Sequence, residues 1–304
     1  MKVDISIIIV SWNTRDWLAR CLISVKKHLD EALSYEVIVV DNNSSDGSAE
    51  MVSSQFPDVL LIESGCNLGF VGANNLAVKR AAGRYFLLLN SDTEMVGSGV
   101  QDIVKYLDAN KTVGVAAGKL IHEDGEFQRP YSKFPGFLGA VSENTLRRVF
   151  SFRSPFQKYS KYARFDENEF HEVDWLTGAY LYISRDMLVD GKIFDDSIFM
   201  YWEDTLLCRR AWDSDYKVVY LPKAPVVHFR NKSADKAVSK TALYSFQGSV
   251  IYFQSIYGGK VAKRYRQSVR SLWWLFRIIF GLVPIDRFQK KSALFKFLLS
   301  EDGS

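Results

Sequence analysis

The sequence predicts an α/β protein with a doubly wound, mostly parallel central sheet and a helical C-terminal extension. Three observations predict it. Two β-branched runs of strand length, "ISIIIVSW" at 5–12 and "YEVIVVD" at 35–41, bracket a segment in which Leu18, Cys21, Leu22, Val25 and Leu29 recur at helical spacing. The strand–helix alternation then continues to about residue 120. Beyond about 235 the pattern becomes helical, basic and aromatic.

Taken in order, the first two runs and the segment between them form a β-α-β unit, which implies parallel strands and a right-handed crossover. "SDGSAEMVSSQF" predicts a helix with a Ser/Asp start, and "VLLIES" a strand. "GANNLAVKRAA" predicts a helix ended by Gly83, and "RYFLLLN" a strand. A helix near 97–109 and the strand "VGVAAGKL" close this half. Residues 120 to 175 lose the alternation, and an irregular, partly mobile region shaping an acceptor site is expected there. "WLTGAYLYISRDML" restores a strand entering a helix, and "FMYWEDTLLCRRAW" puts Glu203 and Asp204 in a helix's first turn. "YKVVYLP" and "PVVHF" follow as strands. The expected division is a catalytic domain at 1–235, with halves 1–118 and 119–235, and an extension at 236–304.

The chain of 304 residues is 47% hydrophobic, enough for a sizeable core. A net charge of +4 is too mild to argue for nucleic acid, and no nucleic-acid motif accompanies it. Three scattered cysteines, Cys21, Cys66 and Cys208, suit a reducing compartment and form no CxxC site. The opening "MKVDISIIIVSW" lacks the long apolar region of a signal peptide, so a cytoplasmic protein is expected. No apolar run reaches the roughly 18 to 20 residues of a membrane span; "SLWWLFRIIFGLVP" is interrupted by Arg277.

Ligands of doubly wound sheets bind beyond the carboxyl ends of the strands, where Ser11, Asp41 and Asp92 all fall. "FLLLNSDTEM" runs four large apolar residues into Asn90-Ser91-Asp92. An unpaired buried charge is costly, so Asp92 is expected at an exposed strand end with a partner. A hard cation such as Mg²⁺ or Mn²⁺ would suit it, since such ions bind through one or two carboxylates plus substrate phosphates. "GCNLGFVGANN" lacks the dinucleotide GxGxxG spacing, and neither a P-loop nor a GxSxG elbow is present.

Seven segments in order, "SIIIVSWNT", "VIVVDNNSSDGS", "NLGFVGANN", "LLLNSDTE", "WLTGAYLYISRDML", "IFMYWEDTLLCRRA" and "VVHF", resemble glycosyltransferase family 2. The resemblance spans roughly residues 4 to 230. It implies the GT-A nucleotide-diphospho-sugar transferase fold. More narrowly, it looks like the bacterial rhamnosyltransferases of O-antigen and other cell-surface polysaccharides.

The resemblance implies roles. Asp41 would accept from the pyrimidine N–H, with Ser11 and Asn13 against the nucleoside. Asn67 and Gly69 would lie near the sugar and diphosphate, where backbone N–H groups favour anions. Asn90, Ser91 and Asp92 stand where the family often has Asp-x-Asp, so one carboxylate is missing. Asp92 and His228 would hold Mg²⁺ or Mn²⁺. The family motif often continues with Gly before Ser after the histidine; Asn231 and Ser233 stand here, which puts the local turn in doubt. Asp204 would be the base that deprotonates the acceptor hydroxyl, with Glu203 in support, and Trp175, Thr177, Gly178 and Trp202 would line the acceptor site.

The implied reaction is inverting, metal-dependent transfer, from dTDP-L-rhamnose foremost, or from UDP-galactose, UDP-GlcNAc or UDP-galactofuranose. The acceptor would be a glycan on a polyprenyl diphosphate. A sugar-nucleotidyltransferase would need a glycine- and basic-rich loop where "SWNTRD" stands, and an inert glycan-binding descendant would be expected to lose these acids. Between Lys260 and Lys296 ten Lys or Arg accompany one acid, Asp286. With Trp273, Trp274, Phe276, Ile278, Ile279 and Phe280 among them, these helices are expected at an anionic inner membrane face, or in a homodimer interface.

Overall fold

The two apolar runs at the start form adjacent parallel strands, β1 (Ile5–Ser11) and β2 (Tyr35–Asp41), registered from Ile5 opposite Tyr35 to Ser11 opposite Asp41. The computed structural model describes residues 3–29, 32–145, 162, 165–229 and 238–281. β3 (Leu60–Glu63) adds to β2 and β4 (Tyr85–Asn90) to the other side of β1, both parallel. α1 (Arg15–His28) buries Leu18, Cys21, Leu22 and Val25, the stripe its spacing predicts. α2 (Ser48–Gln55) and α3 (Gly69–Val78) make the next crossovers. α3 starts and stops earlier than expected, and Gly83 lies beyond it.

α4 (Val100–Ala109) leads to β6 (Val113–Ala117), as predicted. The sheet is then interrupted. β11 (Tyr180–Ser184), buried throughout, sits between β4 and β6 and runs antiparallel to both. β12 (Lys217–Tyr220) pairs parallel with β6, and β9 (His171–Glu172) closes the edge antiparallel. The order is β3-β2-β1-β4-β11-β6-β12-β9. The described part of the irregular region contributes a small antiparallel pair, β8 (Tyr131–Ser132) with β10 (Trp175–Leu176). A separate three-stranded sheet sets β13 (Val226–His228) between β5 (Thr93–Met95) and β7 (Leu120–Ile121). α6 (Glu203–Asp213) begins with the two acids, as its sequence predicts. All three cysteines are free.

The chain forms two compact units, and the division is not at 235. The first holds the sheets, α1–α4 and α6. The second takes residues 134–145, 162 and 200–202 together with the C-terminal helices, so part of the expected acceptor half belongs with the extension. Its helices are α5 (Phe137–Asn144), α7 (Val238–Tyr257) and α8 (Gly259–Gly281). Ala262, Tyr265, Val269, Trp273 and Phe276 form the buried stripe of α8. The Tyr265 hydroxyl accepts from Asn144 Nδ2 and donates to Ser249 Oγ, both at 2.9 Å. Trp273 Nε1 donates to Asn144 O at 2.8 Å. Trp273 and Phe276 are therefore core residues of this unit, and only Trp274 of the tryptophan pair is exposed. Residues 282–304, with Asp286 and the last four cations, lie outside the described residues.

Gly83 shows how tightly the sheet's amino end is closed. Its N–H donates to the buried Ser6 Oγ at 2.8 Å, and a Cβ there would stand 2.8 Å from the Ile5 carbonyl carbon. Rigid backbone has no room to yield. Gly83→Ala is expected to cost about 1–3 kcal/mol of stability, read as a lower urea midpoint.

Candidate active site

The loops after β1 and β2 are laced together by side chains that serve turns. Asn13, at φ +55°, accepts from Ser45 N at 2.8 Å, and its own N–H donates to Ser44 Oγ at 3.0 Å. Asparagine tolerates that left-handed backbone. Arg15 N donates to Asp46 Oδ2 at 2.9 Å. Asp41, 4% exposed, accepts from Ser44 N through Oδ2 at 3.0 Å. Its Oδ1 is buried with no hydrogen-bond partner among the described residues. A buried carboxylate oxygen left unsatisfied is costly, and a ligand donor would satisfy it. Beside it, Trp12 is 38% exposed.

Ser11 and Ser91 are linked through Thr14 inside the protein. Ser11 Oγ is fully buried and bonds Thr14 Oγ1 at 2.9 Å, and Thr14 Oγ1 donates to Ser91 Oγ at 2.9 Å. This hydroxyl chain ties the ends of β1 and β4 together inside the protein. The half-buried Asn90 passes its backbone N–H to Ala179 O, which locks β4 to β11.

The loop into α3 is also internally satisfied. Asn42 receives Leu68 N on Oδ1 at 2.8 Å and donates to Asn67 Oδ1 and Gly69 O, both at 3.1 Å. Gly69 N donates to Asn67 Oδ1, and Val71 N to Phe199 O. The amides of Leu68, Gly69 and Val71 are thus engaged within the protein. Gly69 is required by its φ of +72° and by Phe199, whose ring carbon would lie 2.7 Å from an added Cβ. Asn75 is equally structural, bonding Ile193 N, Phe194 N and Phe194 O.

Asp92 and His228 are brought together by the antiparallel pairing of β5 with β13, which sets His228 opposite Thr93. Phe229 N donates to Asp92 O at 3.0 Å, extending the ladder. His228 Nε2 lies 3.5 Å from Asp92 Oδ1, both side chains being largely buried. That gap is long for a hydrogen bond and short enough for both atoms to share one ion. Among the described residues no group of three or more metal-capable side chains occurs. The donor set fits an Mg²⁺ or Mn²⁺ that completes its shell with substrate and water oxygens. Gln128, 2% exposed, has Nε2 3.0 Å from His228 Nδ1. Phe229 packs 4.7 Å from Trp17, with Arg20 over both rings. A cavity of about 630 Å³ opens here, lined by His122, Glu123, Asp124, His228 and Phe229. Asn231 and Ser233 lie outside the described residues.

At the start of α6, Asp204 Oδ2 accepts from Gly178 N at 2.9 Å, and Oδ1 from Thr205 N at 2.6 Å. Burial is the largest influence on this carboxyl and raises its pKa above the ordinary aspartate value, against the lowering pull of those donors. Thr205 Oγ1 also donates to Oδ1 at 3.2 Å, so the further lone pair lies on Oδ2. Glu203 is 7% exposed. Gly178 lies against both acids: a Cβ there would be 3.6 Å from Glu203 Oε1 and from Phe70. Trp175 Nε1 donates to Lys133 O, and Thr177 N to Pro130 O, both at 2.8 Å. Trp202 packs on Tyr252 and Phe253 within the helical unit, at φ +73°. Arg209 pairs with Asp213 at 2.9 Å.

Thr14, Asn42 and Gln128 are the site's supporting residues that sequence reading did not single out. Thr14 and Asn42 lie within the motifs "SIIIVSWNT" and "VIVVDNNSSDGS". Gln128 carries no local signal, because its partner is distant in the chain.

The mostly parallel sheet carries Asp41 and Asp92 at or just beyond its strand ends, and α6 begins with two acids. The family model "Glycosyl transferase family 2" matches residues 6–186, and the chain belongs to that family. It is a glycosyltransferase of GT-A fold. It is 26% identical over 242 residues to an N-acetylglucosaminyl-diphospho-decaprenol L-rhamnosyltransferase of Mycobacterium tuberculosis, covering 76% of this chain and 77% of that one. It is 25% identical to the rhamnosyltransferase WbbL of Escherichia coli over 81% of this chain and 91% of the relative. A mannosyltransferase of Pyrobaculum calidifontis, solved with GDP-Man and Mn²⁺, shares the fold at a TM-score of 0.55 and 16% identity, covering 98% of this chain and 86% of that one.

Proposed function

We propose that the chain is an inverting, metal-dependent rhamnosyltransferase that moves L-rhamnose from dTDP-L-rhamnose onto a glycan carried by a polyprenyl diphosphate. The observation that carries the transfer reading is the meeting of Asp92 and His228 across β5 and β13. The names of the two relatives support rhamnose and the lipid-linked acceptor. A UDP-sugar donor is the alternative, since thymine and uracil present the same N–H to Asp41. The test is release of dTDP or UDP across a donor panel with lipid-linked acceptors, with and without EDTA. Turnover on no nucleotide-sugar, or undiminished turnover in EDTA, would defeat the reading.

Asp41 Oδ1 receives the base N–H, and the face of Trp12 offers stacking. Asp92 and His228 would hold the ion, which would supply positive charge against the diphosphate leaving group. Asp204 takes the acceptor hydroxyl proton as that oxygen attacks the anomeric carbon from the opposite side. Its raised pKa makes it a stronger base than an exposed aspartate. Glu203 supports it.

The helical unit supplies the membrane contact in this reading. On α8, Lys260, Lys263 and Arg264 share an exposed stripe with Trp274, Leu275 and Ile278, so cations at one end meet apolar side chains at the other. Charge near an anionic bilayer, and an indole at its boundary, both favour adsorption. Among the described residues no helix is long and apolar enough to cross a membrane.

Three outcomes are expected. Asp41→Ala should weaken UDP or dTDP binding about 10- to 100-fold, as loss of a hydrogen bond to a charged group does, while Ser11→Ala leaves it unchanged; calorimetry distinguishes them. The acid limb of kcat/KM should lie above the ordinary aspartate pKa of about 3.9, because activity falls as pH drops through Asp204's raised value. Asp204→Asn should cost about 10²-fold or more and abolish that limb; a limb that persists in this variant assigns the base elsewhere. The full chain should sediment with anionic vesicles at low salt and release as salt rises, and Trp274→Ser with Leu275→Ser should weaken this. Equal binding to neutral vesicles would remove the electrostatic role.

A further inference from the structure

We infer that the phenyl ring of Phe70 is the contact for the C6 methyl of the donor sugar, and so selects a 6-deoxyhexose over its 6-hydroxyl counterpart. The inference rests on the rhamnose reading above and names the residue that reads the sugar. L-Rhamnose carries hydroxyls on C2, C3 and C4 and a single apolar substituent, the methyl at C6. A site that distinguishes it must offer polar atoms on one side and an apolar surface on another.

Phe70 is the apolar group beside the two acids of α6. A Cβ on Gly178 would stand 3.6 Å from Phe70 Cε1, 3.6 Å from Glu203 Oε1 and 3.7 Å from Asp204 Cβ. One ring edge and two carboxyl side chains thus border one small space, kept open because residue 178 has no side chain. In the proposed reaction Asp204 reaches the attacking hydroxyl by a hydrogen bond, and that oxygen stands about 3–3.5 Å from the anomeric carbon. What borders the base therefore borders the sugar. Ionised carboxylates only accept hydrogen bonds, so they suit the sugar's hydroxyls. The phenyl edge offers no hydrogen bond, and the methyl is the substituent that suits it.

The backbone brings this ring in from the donor's side. Phe70 follows Gly69 in the first turn of α3, and Asn42, the neighbour of Asp41, donates to Gly69 O at 3.1 Å. The ring is also held in place. It lies 6.0 Å from the ring of Phe194, which is buried. Asn75 of α3 fixes Phe194 in turn, accepting from its N–H at 3.1 Å and donating to its carbonyl at 2.9 Å. Phe70 itself is only half-buried, so part of a fixed ring remains for a ligand. A hydroxyl added at C6 would lose water against that ring without gaining a partner. Apolar sites reject an added hydroxyl by up to about 10²-fold, which sets the size of the effect.

The test compares dTDP-L-rhamnose with dTDP-L-mannose, which differs from it only by a hydroxyl on C6, and with dTDP alone. Calorimetry uses the full chain with Mg²⁺, as wild type, Phe70→Leu and Phe70→Ser. Wild type should bind the rhamnose donor about 10- to 100-fold more tightly than the mannose donor. Phe70→Leu should keep most of this preference. Phe70→Ser should lose it, with dTDP affinity unchanged. A second readout needs no variant: in wild type, saturating the protein's aromatic protons should reach the C6 methyl of bound dTDP-L-rhamnose more strongly than its H2 or H3. An unchanged preference in Phe70→Ser, equal weakening of all three ligands, or stronger transfer to H2 and H3 would overturn the inference and leave the rhamnose reading standing. A wild type that binds dTDP-L-rhamnose no better than dTDP and turns over only UDP-sugars would overturn both.

Discussion

The site depends on one short ladder, the pairing of Val226–His228 between Thr93–Met95 and Leu120–Ile121. Strands of two and three residues are weak alone, and this ladder holds because its ends are buried. Val226 and Leu120 are fully buried and Met95 is nearly so. Met95 N donates to Ser24 Oγ of α1 at 3.0 Å, and Val96 N to Pro225 O at 3.0 Å. Beyond the histidine, Phe229 is held against Trp17 and Arg20. A slip of one residue would turn His228 to the opposite face. The core packing around β5 and β13 is therefore what places two potential ligands side by side.

A second constraint separates structural polar groups from available ones. Ser11, Thr14 and Ser91 satisfy one another. Asn42 satisfies the loop before α3. Asp41 does not close its own account of partners, because Ser44 takes only one oxygen. All these side chains sit at strand ends and all are buried, so location does not tell them apart. What does is whether the hydrogen-bonding capacity is used up inside the protein. This is why Asp41, with one oxygen unpartnered, stands out as a binding candidate.

Much of this was legible in the sequence, for physical reasons. β1, β2 and β4 are long, β-branched or leucine-rich and buried on both sides, so their pattern is unambiguous. Asp92 and Glu203 follow strand and helix boundaries that local chemistry marks. The antiparallel insertion of β11 was not legible, because a strand's direction is set by the path of the long connection before it, and local pattern carries no trace of that path. The division of the chain escaped for a similar reason: residues 134–145 and 200–202 pack with helices distant in sequence. Trp273 and Trp274 look equivalent as neighbours, yet helical geometry turns one into the core and the other outward. Gln128 meets His228 only through tertiary pairing.

The base candidate shows how these constraints combine. A carboxylate at a helix start is stabilised as an anion by the dipole and the exposed amides. Those influences alone would make it a weak base. At Asp204 burial works the other way and prevails in direction, so the group is both fixed and more basic. Its fixing comes through Gly178 N, at the end of the segment that follows β10. Gly178 has no side chain to intrude between Phe70, Glu203 and Asp204. Phe70 in turn belongs to the first turn of α3, whose entry is held by Asn42 beside Asp41. Phe70 of α3 and the acids of α6 thus border the same glycine.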